Sequence, residues 1–292
     1  MASPSTPVKL GALLLLASSV PAFAGTISLE TTGVSDPVFA SYPSASGSLL
    51  GWGGEFAASE SGLTLSPAYN NLLDSNVAAG SFVTFCIELN QDISAATAYN
   101  YTVSNSLDFT STSTEALTIG TAYLYSQFVD GTLSGYTYPT QAQLNAAAPT
   151  TTTGMNTAQI SSMNLQDAFW DLQGETLGSD NDNLTVIDSA SSLSNPFIQL
   201  VAQQFGGGNY VIGNAAKDST TQEEAALAGA LAASNGAYGV HVLNLTSGGT
   251  PVQNQLVMTV PDSGSTLSLL GAAFLGLMAV RRRLPALAGR RA

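Results

Sequence analysis

The sequence predicts a mainly β fold, an antiparallel β-sandwich or barrel, with a mainly helical insertion over about residues 112–233. Three observations lead there. Short stretches with apolar residues at alternate positions, bounded by Gly, Ser, Thr and Asn, fill both ends of the body. Between them, apolar residues recur at three- and four-residue spacing instead. Strands therefore come in one run, then helices, then strands again, which argues against a parallel sheet built from alternating units.

The first strand is expected in "TISLETT" (26–32). Residues 47–68 read as strands and turns, with Leu49, Trp52, Phe56, Leu63 and Leu65 set among Gly and Ser. In "FVTFCIEL" (82–89), Val83, Phe85, Ile87 and Leu89 fall on one face, while Phe82, Thr84, Cys86 and Glu88 fall on the other. Thr112-x-x-Glu115 has the capping-box pattern ahead of "ALTIGTAYLYSQFV" (116–129), a predicted helix ending before Asp130-Gly131. A second helix is expected over 158–174, burying Leu165, Ala168, Phe169 and Leu172 as one stripe, with Gly174 near its stop. The third, "TQEEAALAGALAAS", starts at Thr221-x-x-Glu224. The segments 135–156 and 177–188 read as loops, and 209–213, 238–246 and 255–260 as strands, the last two joined by a turn in "SGGTPVQN".

The two ends differ from this body. Residues 1–24 have one Lys9, an apolar run from Leu10 to Ala17, and a small-x-small ending at Ala22-Phe23-Ala24. That order is the layout of a secretory signal peptide, with cleavage expected after Ala24. Residues 25–259 then form the exported body. At the other end, Leu267 to Val280 carries no charge and closes on Arg281, Arg282 and Arg283. At about 1.5 Å per residue the run is short against a hydrocarbon core of roughly 30 Å. Snorkelling arginines and interfacial residues Val260–Thr266 extend it to a marginal membrane helix within 260–283, leaving 284–292 as a basic cytoplasmic tail. The arginines then face the cytoplasm, and everything before Val260 lies outside.

The formal charge of −13 conceals a sharper split. Lys9 lies in the leader and five arginines lie beyond Val280, so Lys217 alone opposes all twenty acidic residues, and the exported part carries about −19. Such a body does not bind nucleic acid or anionic membranes through its charge. It would tolerate neutral or cationic partners and divalent cations.

The C-terminal residues carry a resemblance. Val260-Pro261-Asp262-Ser263-Gly264, a short apolar run and then Arg281-Arg282-Arg283 resemble the sorting signal of the PEP-CTERM class, in its VPDSG variant. The resemblance implies export by a Gram-negative bacterium, handling by an exosortase-type processing protease, and passage through the inner membrane by way of the C-terminal helix. The extension Leu284 to Ala292 departs from the usual basic stop.

A second resemblance involves the only cysteine. Cys86 is off the clean apolar face of its strand, where an inert buried cysteine would more naturally sit. On the second helix, Met163, Gln166 and Trp170 form a stripe beside the apolar one. If the helix crosses that side of the sheet, sulfur and carboxamide meet beneath Trp170. "TFCIEL" followed by Leu165-Gln166-Asp167-Ala168-Phe169-Trp170 resembles the thioester domain of bacterial surface proteins. That resemblance implies a Cys86–Gln166 crosslink shielded by Trp170 and a covalent amine or hydroxyl target on a surface or polysaccharide. Two other readings stay open: an inert buried Cys86 with an exposed Gln166, and a thiol that pairs with another chain.

The remaining candidates are weaker. His241 is the only histidine, has no second titratable partner in view, and reads as structural. No G-x-S-x-G elbow occurs, and one His with one Cys does not build a zinc site. "DNDN" (180–183) lacks EF-hand spacing and reads as a solvated loop. Asp167, Asp171 and Glu175 run down one helix at four-residue spacing, which reads as a solvated face. No catalytic residue, cofactor or metal site is expected. The sequence thus predicts an exported, surface-anchored or matrix-associated structural or adhesion protein and not an enzyme. Its alternatives are an inert β-rich matrix component with the same tail and a secreted carbohydrate-active enzyme.

Overall fold

A period-two pattern fixes a strand only when a neighbour supplies the matching face and register. The computed structural model describes residues 24–29, 39–43, 49–72, 80–88, 91, 93, 94, 97–110, 113–140, 156–175, 195–212, 214 and 220–260. The early strands are β1 (Ala24–Leu29), β2 (Phe39–Pro43), β3 (Leu49–Gly54), β4 (Phe56–Ser61) and β5 (Ser81–Thr84). They are followed by β6 (Ala98–Ser104), β7 (Ser106–Thr110) and β8 (Ser113–Ala116). Four helices come next among the described residues: α1 (Ile119–Val129), α2 (Thr157–Leu172), α3 (Pro196–Phe205) and α4 (Thr220–Ala230). The described chain closes with β9 (Val240–Ser247), β10 (Thr250–Pro251) and β11 (Gln255–Met258).

The main sheet is antiparallel, in the order β10-β9-β6-β1-β4-β5, with β11 also alongside β9. Hairpins β2–β3 and β7–β8 stand apart from it. The mainly β, antiparallel class is as expected, but no closed barrel of continuous ladders forms among the described residues. The β4–β5 ladder stops at Phe56 opposite Thr84. Beyond it the chain reaches β11 by a single isolated bridge, Cys86 opposite Gln255. Leu256 N donates to Phe85 O and Ile87 N donates to Asn254 O on either side of that bridge, both at 3.2 Å.

Helices, not a second sheet, fill the space over β5. Phe85 packs edge-on against Phe128 of α1 and Phe169 of α2, each with ring centroids 5.1 Å apart, and against Tyr125 at 6.5 Å. Tyr125 Oη donates to Val83 O at 2.6 Å, and Tyr69 Oη meets Tyr125 Oη at 2.8 Å while accepting Met258 N at 2.6 Å. These hydroxyls satisfy backbone groups that the broken ladders leave open.

Three elements differ from the sequence reading. The segment containing Glu115 is strand β8, because pairing with β7 takes up its backbone; α1 begins later, capped by Thr118, whose side chain accepts Thr121 N. Residues 209–212 are turn and irregular chain with Tyr210 buried, not a strand. Helix α3 was not expected; Asn195 caps it, Pro196 opens it, and Phe197, Ile198, Val201 and Ala202 are buried along one side. Helix α2 matches its expected span closely, with Asn156 and Gln159 forming a capping box and Leu165, Ala168, Phe169 and Leu172 all buried.

The body is bonded into the fold up to its last described residue. Thr259 bridges Leu65 and its N–H donates to Gly239 O at 2.9 Å, while Val260 N donates to Thr64 O at 3.1 Å. Gly239 is required there: its φ is +70°, and a Cβ would lie 2.7 Å from Thr259 O. At the other end, Ala24 already pairs with Thr102, so cleavage after it would leave Gly25 opening β1. Pro261, Asp262, Ser263, Gly264, Arg281, Arg282 and Arg283, the expected leader before Ala24, and the expected membrane helix within 260–283 beyond Val260 lie outside the described residues. Among the described residues no helix is long and apolar enough to cross a membrane.

Candidate functional site

The site is built where β4 leaves β5. After Phe56 the ladder ends, and Glu55 N turns away to donate to Ser162 Oγ on α2 at 2.8 Å. Cys86, two residues beyond Thr84, points its N–H and C=O toward the same side as Thr84 but meets no strand there. The Gln166 carboxamide takes that place. Cys86 N donates to Gln166 Oε1 at 3.2 Å, and Gln166 Nε2 donates to Cys86 O at 2.6 Å. One side chain thus substitutes for a short piece of strand. Both residues are fully buried.

The route by which the pair meets corrects one expectation. Phe169 lies on Phe85, so α2 rests on the apolar face of the strand and not on the face of Cys86. Gln166 reaches the strand edge from there. The reading with an exposed Gln166 is overturned. The cleaner alternation expected for 82–89 is also lost, because Phe82, Val83, Thr84, Phe85, Cys86, Ile87 and Glu88 are all buried. Trp170, one helical turn after Gln166, is buried as well.

Across the isolated bridge, Cys86 and Gln255 are a non-hydrogen-bonded cross-strand pair, the arrangement that brings side chains closest. Gln255 Nε2 donates to Cys86 Sγ at 3.4 Å. Thr84 Oγ1 lies 3.3 Å from Gln255 Oε1 and donates more closely, at 2.7 Å, to Leu256 O. Gln255 was missed by sequence reading, since its relation to Cys86 depends on pairing across 169 residues.

Two buried carboxyls flank this region, and the described residues contain no lysine or arginine. Glu88 Oε2 accepts Asn254 N at 2.6 Å and its Oε1 accepts Asn254 Nδ2 at 3.1 Å. Burial pushes its carboxyl up to about 7, the Asn254 bond opposes this, and the charges of Glu175 and Asp108 add to the rise. Glu55 accepts Tyr136 Oη at 2.7 Å, and burial raises it to about 7 as well, partly offset by that bond. The expected solvated acidic face on α2 is only partly found: Asp167 is buried, and burial raises Asp171 to about 6.

The other candidates stay apart from the pair. His241 Nδ1 donates to Asn105 Oδ1 at 2.8 Å, and burial lowers its affinity for a proton. Asp180–Asn183 lie outside the described residues. Among the described residues no three His, Cys, Asp or Glu side chains converge as metal ligands.

Chemically, the arrangement holds a primary amide against the backbone of the cysteine, with the Gln166 carbonyl oxygen accepting the Cys86 N–H. Such a donor polarises a carbonyl and steadies charge developing on its oxygen.

Comparison with known families finds the VPDSG-CTERM motif at residues 259–284. The tail is therefore a sorting motif, pointing to an exported, membrane-sorted protein and implying processing by an exosortase-type protease. No curated protein and no solved structure matches the chain.

Proposed function

We propose that the body carries an internal Cys86–Gln166 thioester and works as a surface-anchored or matrix-associated adhesion protein, not as an enzyme. The observation that supports this reading is the two-point pairing of the Gln166 carboxamide with Cys86, including the N–H donated to Gln166 Oε1. In the reaction, Cys86 Sγ attacks Gln166 Cδ, the Cδ–Nε2 bond breaks, and the thiol proton leaves with nitrogen as ammonia. Nothing is oxidised or reduced. The product is uncharged, so keeping it buried costs little compared with burying a thiolate. Exclusion of water then preserves it until an amine or hydroxyl on a surface or polysaccharide takes the acyl group. The sorting tail supplies the other attachment, through the exosortase-type protease and the inner membrane.

Intact mass of the full-length protein tests the reading. The expected result is a mass short by one ammonia, restored by Cys86→Ala and by Gln166→Ala. A full mass with one titratable thiol removes the thioester and leaves an inert β-rich component in which Gln166 only completes the strand edge.

A further inference from the structure

We infer that Gln255 is the group that activates the Cys86 sulfur, both when the bond forms and when it opens. This rests on the Cys86–Gln166 thioester reading and adds to it a residue that neither resemblance supplies.

A thiol attacks as its thiolate, and the surroundings of Cys86 disfavour one. The strand is buried on both faces, Glu88 lies two residues on, and Glu175 and Asp108 act on Glu88. No lysine or arginine stands among the described residues to offset them, and His241 is committed to Asn105. Among the groups that face the sulfur is a neutral donor. Gln255 Nε2 reaches Sγ at 3.4 Å across the Cys86–Gln255 bridge, from an inward strand position next to buried Leu256 and Val257. A buried carboxamide there is costly unless it is bonded, and the amide is seated by Thr84 at one end and the sulfur at the other.

Two amides thus divide the work. Gln166 gives up its Cδ–Nε2 bond and becomes the acyl group, while Gln255 remains intact and donates its N–H to the negative charge on sulfur. When an amine later attacks the thioester carbonyl, the C–S bond breaks and the departing thiolate meets the same donor. A stabilised thiolate leaves faster. Gln255 therefore speeds both directions of traffic at the sulfur.

The test uses the full-length chain in detergent, unfolded and refolded at several values between about pH 6 and 9, which bracket an ordinary thiol. Intact mass follows ammonia loss with time, circular dichroism follows folding, and methylamine serves as the opening nucleophile. Gln255→Leu and Gln255→Met are expected to refold. They should lose ammonia about ten- to a hundred-fold more slowly near neutral pH, the effect of removing one donor to a charge. The gap narrows as pH rises, because alkali supplies the thiolate that the donor no longer favours. Methylamine opening slows in the same variants. If Gln255→Leu fails to fold, Gln255→Met, unbranched and without an N–H donor, decides. Equal rates and equal pH profiles in wild type and variant overturn the role of Gln255 while leaving the thioester standing. A wild type that never loses ammonia removes the thioester reading itself. Ammonia loss that survives Gln166→Ala but not Gln255→Leu also overturns the inference, since Gln255 would then be the acyl donor.

Discussion

Glu55→Gln offers a test of how this cation-poor interior handles charge. The Glu55 carboxyl is fully buried, accepts one hydrogen bond from Tyr136 Oη at 2.7 Å, and has no lysine or arginine near it among the described residues. Burial raises it from 4.5 to about 7. Its folded value lies above the unfolded one, so the unfolded chain releases the proton first as pH rises. The stability linked to Glu55 is therefore complete below about pH 4.5, falls as pH climbs toward 7, and changes little beyond that. At about 1.4 kcal/mol per pH unit, that passage removes on the order of 3 kcal/mol. Glutamine keeps the shape and an oxygen for Tyr136 but has no proton to lose. Denaturant unfolding of both proteins at pH near 4.5 and near 8 should give similar stabilities at the acid end. At the alkaline end the variant should be more stable by up to about 3 kcal/mol. Glu88 titrates in the same direction in both proteins and cancels from the comparison. A difference that does not grow with pH would refute the reasoning.

Two further outcomes concern packing and backbone. Phe85→Ala removes the ring that joins the chain just past β5 to α1 and α2, and should lower unfolding free energy by about 3–5 kcal/mol in a denaturant titration. Gly239→Ala meets both a φ of +70° and the Thr259 carbonyl. It should cost about 1–3 kcal/mol, seen as faster amide exchange at Thr259 than in wild type.

What could be read from the sequence follows the range of the forces involved. Helix α2 was legible because its apolar stripe is a local pattern, and so was the antiparallel β class. The meeting of Cys86 and Gln166 was legible as a motif, but its geometry was not, because the departure of β4 from β5 creates the vacancy that Gln166 fills. Alternation misled at 82–88, where helices cover one face and the opposite face is buried as well, so no polar side marks the boundary. Around Glu115 a real capping pattern lost to strand pairing with β7, which satisfies more backbone groups than one cap. The single bridge that sets Gln255 against Cys86 joins distant parts of the chain and leaves no trace in either segment alone.

The bonds at Thr259 and Val260 have a mechanical consequence. The sorting motif begins where the fold is still hydrogen-bonded, with no slack chain between β11 and the tail. A pull on Val260 therefore loads β11 and its bonds to Gly239 and Thr64, and shears β11 against β9 and the Cys86 segment. If a target is joined through Gln166, the line of force runs from α2 across Phe169 and Phe85 to β11 and out. Thr64 and Leu65, which follow β4, share the load through their bonds to Val260 and Thr259.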